Sequence, residues 1–166
     1  MAWSAGKGYP SRTSARESAA MKILLTVMMT WLSSNFDLPA VHHLPEIKYV
    51  SQQEMVAARF AGLVPTMTSE INAASELVSL YEDRTKTILL SDRWKGDAPA
   101  ELSTLVHELV HHMQNLAQLT YPCPEAREAI AYAAQEKWLS LFGQSLASAF
   151  ELDPLTLKVR TSCMFR

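Results

Sequence analysis

The stretch from Leu105 to Gln114 constrains this chain more than any other. On a helix of 3.6 residues per turn, Leu102, Leu105, Val106, Leu109, Val110, Met113 and Leu116 fall on one continuous arc. His107, Glu108, His111, Gln114 and Asn115 fall on the opposite one. Such a helix buries its apolar side in a core and turns a polar side toward something else. Within the polar arc lies His107-Glu108-Leu109-Val110-His111, a His-Glu-x-x-His pattern. Positions four apart sit about 40° apart on the wheel and one turn along it, so both imidazoles can reach one tetrahedral metal ion. The glutamate between them is then placed to act as a general base.

A histidine arising by chance in a core helix would more often stand among the leucines, and histidines on a polar face are usually just solvated. The clean segregation of the two arcs favours a real Zn²⁺ site. His112 lies about 140° from His107 and cannot share that ion. It is expected next to the site or at the surface. His42 and His43 sit in a proline-flanked loop and are read as solvent-exposed rather than as ligands.

At 166 residues the chain suits one domain with a single core. A net charge of −2 gives no electrostatic case for nucleic acid. The charge is uneven, since residues 1–22 carry +3 and leave −5 for the rest. Two cysteines, Cys123 and Cys163, are too few for a disulfide framework or a Cys-rich metal site. They can pair in an exported protein or stay buried thiols in a cytoplasmic one.

Residues 1–20 are rich in Ser, Gly and Ala without apolar periodicity and are expected to form a disordered N-terminal extension. Met21 is then a possible natural start, and 21–166 a single domain. The apolar run that follows Lys22 has two readings. It resembles a short signal peptide, too short for a membrane span. Yet Lys22, Thr26, Thr30, Ser33 and Asp37 draw a polar stripe at helical spacing, which favours an amphipathic domain helix and, slightly, a cytoplasmic protein. Glu46 to Val50 alternates like a half-buried strand. Ser51-x-x-Glu54 is a capping box opening a helix to about Ala61, stopped at Gly62. Residues 63–76 are ambiguous. Leu77–Tyr81 and Thr87–Leu90 read as a hairpin around Glu82–Lys86. Asp97 is the expected N-cap of the motif helix, with Pro99 in its first turn. A further helix is expected from Glu125 to Phe142, ended by Gly143, and a last short one from Asp153-Pro154.

Catalytic zinc usually takes three protein ligands and water, so two histidines leave one to find. Glu128 is the best candidate, seventeen residues beyond His111, far enough for one helix to end and another to run back alongside. Tyr132 and Gln135 share its face. Glu125 is the reserve, one turn earlier, and Glu136, about 80° away, ranks third. The plainer alternative is that Glu125 and Glu128 simply favour a helix N-terminus.

His107-Glu108-x-x-His111 followed by a helical glutamate resembles the gluzincin group of zinc metallopeptidases and is similar to small bacterial zincin-like proteins. The match spans His107 to Glu128. The resemblance implies an α+β, zincin-like fold, mainly helical with a small, mostly antiparallel sheet whose edge strand holds the substrate backbone. It places the motif helix against the glutamate helix. It also implies one Zn²⁺ per chain held by His107, His111 and Glu128, Glu108 as general base, and a peptide or protein as substrate. Tyr132 or Tyr81 would stabilise the oxyanion. No nucleic acid and no stable membrane span are expected. Two alternatives stay open: a non-catalytic zinc-binding module on the same scaffold, and a helical protein without stoichiometric metal.

Overall fold

The computed structural model describes residues 12–40, 42–60 and 78–163. Among them the elements are α1 (Arg12–Asn35), β1 (Glu46–Val50), α2 (Gln52–Arg59), β2 (Ser79–Glu82), β3 (Thr87–Ser91), α3 (Pro99–Leu116), α4 (Pro124–Ser140), α5 (Leu146–Phe150) and α6 (Pro154–Thr161). The result is α+β and mainly helical, with one three-stranded sheet. The ambiguous stretch 63–76 and the expected helix stop at Gly62 lie outside the described residues, as do residues 1–11.

The break expected at residue 20 is absent: α1 runs through it from Arg12. Leu25, Met28, Met29 and Leu32 recur at helical spacing and are all buried, as a domain helix requires. On the other side Thr26 donates to the Lys22 carbonyl (2.8 Å) and Thr30 to that of Thr26 (2.8 Å), so these hydroxyls are satisfied within the helix. No described helix is long and apolar enough to cross a membrane.

The sheet is mixed rather than mostly antiparallel. Its order is β1-β3-β2, with β1 parallel and β2 antiparallel to β3. The hairpin turn imposes the antiparallel pair, whereas the long connection containing α2 allows β1 to arrive parallel. The register brings Tyr49 opposite Leu90 and Tyr81 opposite Ile88. Every residue of the central β3 is buried, and β2 forms an edge.

Two helix starts follow local chemistry. Ser51 and Glu54 form the expected capping box at α2. At α3, however, the N-cap is Ala98, not Asp97, because Pro99 occupies the first helical position. Glu101 compensates by reaching back, its carboxylate accepting from the Gly96 (2.9 Å) and Lys95 (3.3 Å) amides. Gly96 has a φ of +71° and lies under the Trp94 indole, where a Cβ would meet ring carbon at 2.4 Å.

The core joins α1, α3 and the sheet through Leu25, Met28, Leu32, Ile88, Leu90 and the apolar arc of α3. Leu105, Val106, Leu109, Val110 and Met113 are wholly buried. Against the other side of α3 packs α4, which presents the small buried Ala131 and Ala134 and so lies close. Cys123, at the N-cap of α4, is disulfide-bonded to Cys163 just beyond α6. The bridge fastens α6, which has no buried residue of its own, against α4.

Candidate metal centre

Because α3 is packed on both sides, most of its polar arc (Glu108, His111 and Gln114) is buried along with the apolar one, and these polar groups must find partners inside the protein. His107 and His111 project from successive turns toward α4, where Glu128 meets them one turn into that helix. Glu128 Oε2 lies 3.0 Å from His107 Nε2 and 3.2 Å from His111 Nε2, and the two Nε2 atoms are 3.2 Å apart. Three ligand atoms thus converge on one point. These residues form a group that can hold a metal ion.

The protonation of each histidine follows from the glutamine behind it. Gln135 donates through Nε2 to Ser103 Oγ (3.2 Å), whose own hydroxyl is engaged by the Ala100 carbonyl (2.7 Å). Its Oε1 therefore faces His107 Nδ1 (3.1 Å), which must be the donor. Gln114 donates through Nε2 to the Arg127 carbonyl (3.1 Å), so its Oε1 accepts from His111 Nδ1 (3.1 Å). With both Nδ1 atoms protonated, both Nε2 lone pairs point at Glu128. Three acceptors so close repel unless protons or a metal ion lie among them.

Electrostatics agree. Burial opposes charge on His111, but the Glu128 hydrogen bond and the nearby Glu108 carboxylate outweigh it and hold its pKa above the ordinary value. Burial likewise works against an ionised Glu128, yet the two histidines overcome it and lower its pKa strongly.

Glu108 is buried, and Ser79 of β2 donates to its Oε1 (3.0 Å), while the second carboxylate oxygen has no hydrogen-bond partner among the described residues. A cavity of about 700 Å³ opens beside these groups, lined by Ser79, Leu80 and Tyr81 of the edge strand, by α3 and by α4. Arg127 locks its far wall. Its guanidinium forks onto Asp83 in the hairpin turn (2.6 and 2.8 Å) and also reaches the His111 carbonyl (3.3 Å) and Gln114 Oε1 (3.3 Å). Asp83 is held again by Asn115 (2.8 Å).

The two tyrosines differ. His112 is fully buried, neither at the metal group nor at the surface; its Nε2 donates to the His43 carbonyl (2.7 Å). Its Nδ1 is then an acceptor, to which the Tyr81 hydroxyl donates (3.2 Å). Burial, with the Asp83 charge, pushes the Tyr81 phenol up to about 12. Tyr81 is thus a tie between sheet, α3 and the loop before β1. The Tyr132 ring stands edge-on to His107, centroids 4.8 Å apart, and its oxygen accepts from Arg160 Nη1 (3.0 Å), while its own O–H has no acceptor among the described residues.

Of the other acids, Glu125 lines the cavity but is not in the three-residue group, and Glu136 accepts from the Leu146 amide (2.6 Å). His42 and His43 are exposed. The glutamine supports, the Arg127–Asp83 lock and the Ser79–Glu108 contact were not legible from the sequence. Only the position of Gln135 on the Glu128 face hinted at one of them.

The fold and the site together define a small α+β protein with a partly buried His-His-Glu group between two helices, open to a cavity. The profile of the family described as Domain of unknown function (DUF6647) matches residues 17–166, and the chain belongs to that family. No curated protein and no solved structure matches it.

Proposed function

We propose that this protein is a zinc-dependent peptide-bond hydrolase of the zincin type, with one Zn²⁺ per chain held by His107, His111 and Glu128. The observation that carries the reading is the triangle of ligand atoms. Bonds of about 2.0–2.1 Å in a tetrahedron place neighbouring donors about 3.3 Å apart, close to the 3.0–3.2 Å edges found here. A side-chain amide fixes the tautomer of each histidine, the kind of support that metal-binding imidazoles characteristically have. When bound, zinc supplies Lewis acidity, polarising a carbonyl and making water acidic enough to attack near neutral pH.

The protein's own groups then have distinct tasks. Glu108, held by Ser79, takes the proton of the attacking water and passes it to the departing amine. Tyr132, oriented by Arg160 and with no acceptor for its hydroxyl proton among the described residues, can meet negative charge developing on the carbonyl oxygen, while the proton of Tyr81 is already engaged by His112. Strand β2, at the sheet edge and on the cavity wall, offers backbone groups to an extended peptide. The Cys123–Cys163 bridge favours an oxidising compartment over the cytoplasm.

The test is zinc stoichiometry by elemental analysis beside turnover of a mixed pool of unstructured peptides. Wild type should hold one zinc and cleave. Glu108→Gln should keep the zinc and lose cleavage, and His111→Ala and Glu128→Ala should lose both. A His111→Ala protein that still holds one tightly bound zinc would refute the ligand assignment. Zinc binding without turnover by wild type would leave the non-catalytic alternative.

A further inference from the structure

We infer that the cavity beside the metal group selects substrates carrying an acid group, in the first place a carboxylate, through Arg160 and Arg59. The inference rests on the hydrolase reading above and names the substrate class for it.

Three arginines line the cavity: Arg59, Arg127 and Arg160. Arg127 is paired with Asp83 and also bonded to Gln114 and the His111 carbonyl, so its charge is already matched. The other two are not. Arg160, on α6, makes its hydrogen bond to the neutral Tyr132 hydroxyl and no ion pair with any described acid. Arg59, in the last turn of α2, likewise has no acidic partner among the described residues. The acids on the same wall cannot serve as their counter-charges. Glu108 is held by Ser79, Glu128 by the two histidines and Asp83 by Arg127, and Glu125 pairs with neither arginine.

Two guanidiniums therefore face one cavity without a described counter-charge. A guanidinium fork matches a carboxylate in plane and with two parallel hydrogen bonds, whereas a basic substrate would be repelled. The placement ties this charge to the reacting centre. Arg160 touches the Tyr132 hydroxyl, and the Tyr132 ring packs on the ligand His107. An acid group held by Arg160 thus lies one tyrosine away from the metal group. Arg59 stands on α2, which packs on β2 and β3, and adds its charge from the sheet side.

The experiment uses the full chain loaded with zinc and a series of monohydroxamates of linear dicarboxylic acids, from four to eight carbons. Each is compared with its own ω-carboxamide by titration calorimetry. The hydroxamate anchors at the metal in every case, and the chain length searches for the arginines. At one length or more the acid should bind about tenfold more tightly than the amide, the size of one charge-assisted hydrogen bond. Arg160→Gln, which keeps a donor for Tyr132, should remove most of that preference, and Arg59→Gln/Arg160→Gln all of it. Zinc content and the thermal unfolding midpoint, unchanged in both variants, control for folding, and the preference is read as the acid-to-amide affinity ratio within each variant. Equal binding of acid and amide at every length, or no binding of either, by a zinc-loaded wild type overturns the inference and leaves the metal assignment intact. A preference that survives in the double variant overturns it too, because charge elsewhere would be responsible. Failure of wild type to take up zinc refutes the hydrolase reading itself, and this inference with it.

Discussion

Gln135 offers the cleanest way to ask whether the wiring behind the ligands matters. It touches no metal donor atom except through His107, to which it presents Oε1 at 3.1 Å. Replacing it by leucine keeps the volume and apolar packing on α4 but leaves the nearly buried His107 Nδ1–H without its acceptor. It also frees Ser103 Oγ of a donor. The imidazole then loses the bond that fixes its tautomer, and the form with the proton on Nε2, which cannot ligate, becomes accessible. Loss of such outer partners commonly weakens metal affinity 10–100-fold, or about 1.4–2.7 kcal/mol. Gln135→Glu reverses the argument. A carboxylate still accepts from His107 Nδ1, makes the imidazole a better donor and can accept from the Ser103 hydroxyl instead, so zinc affinity should be kept or increased. Competition against a fluorescent zinc chelator of known affinity, with urea unfolding of the metal-free proteins alongside, reads both effects. Equal zinc affinities for wild type and Gln135→Leu would refute the claim that the glutamine sets the tautomer.

Further outcomes follow from other contacts. Arg127→Met should cost about 1–3 kcal/mol in urea unfolding, because it removes a donor from Asp83, from the buried Gln114 Oε1 and from the His111 carbonyl together, whereas Asp83→Asn, which can keep neutral hydrogen bonds to Arg127 and Asn115, should cost about 0–1 kcal/mol. In metal-free protein the depressed Glu128 pKa contributes stability above the ordinary carboxyl value near 4.3 that is lost as pH falls further; the raised His111 pKa contributes stability below the ordinary histidine value near 6.5 that is lost as pH rises through its folded value. The melting temperature of metal-free protein should therefore be highest between those values and fall toward pH 8, while the extra stability conferred by zinc grows over the same range because the ligating histidines must be neutral; a flat metal-free profile would contradict this. Reducing Cys123–Cys163 opens a loop of 40 residues, worth about 4 kcal/mol on loop entropy alone, and amide exchange in α6, which buries no residue, should rise before that of α3.

What could be read in the sequence was local. The capping box at Ser51 joins residues three apart, Asp153 caps its helix from the next residue, and the arcs of α3 follow from the period of a helix. Even Glu128 was accessible, because seventeen residues suit a helix, a turn and a return. What could not be read depends on partners brought together by the fold. Alternation in Glu46–Val50 says that a strand exists but not that it lies parallel to β3. The partners of His112 lie 31 and 69 residues away. Asp97 lost the capping position by a single residue, decided by Pro99 and by the reach of Glu101. The capping box of α5 uses Ser148 where a glutamate is the usual signal, and a helix of five residues carries no periodicity of its own to reveal it.

The burial of both arcs of α3 bears on why the site is there at all. An ordinary helix between a core and a second helix would be more stable with apolar residues on both faces, since buried ionisable groups must recover a desolvation cost that hydrophobic side chains do not incur. Here His107, Glu108, His111 and Gln114 are held out of solvent or nearly so, and each is satisfied by a partner drawn from another element or the next turn. The partners in turn are anchored: Gln135 by Ser103, Gln114 by Arg127, Arg127 by Asp83. The outermost anchor ties α4 to the hairpin whose first strand supplies Ser79 to Glu108. A displacement of either helix therefore disturbs Glu108 and the His107–His111–Glu128 group together. That common suspension of a carboxylate and a group able to hold a metal ion is hard to account for by packing alone, and it is the arrangement that the proposed catalysis would need.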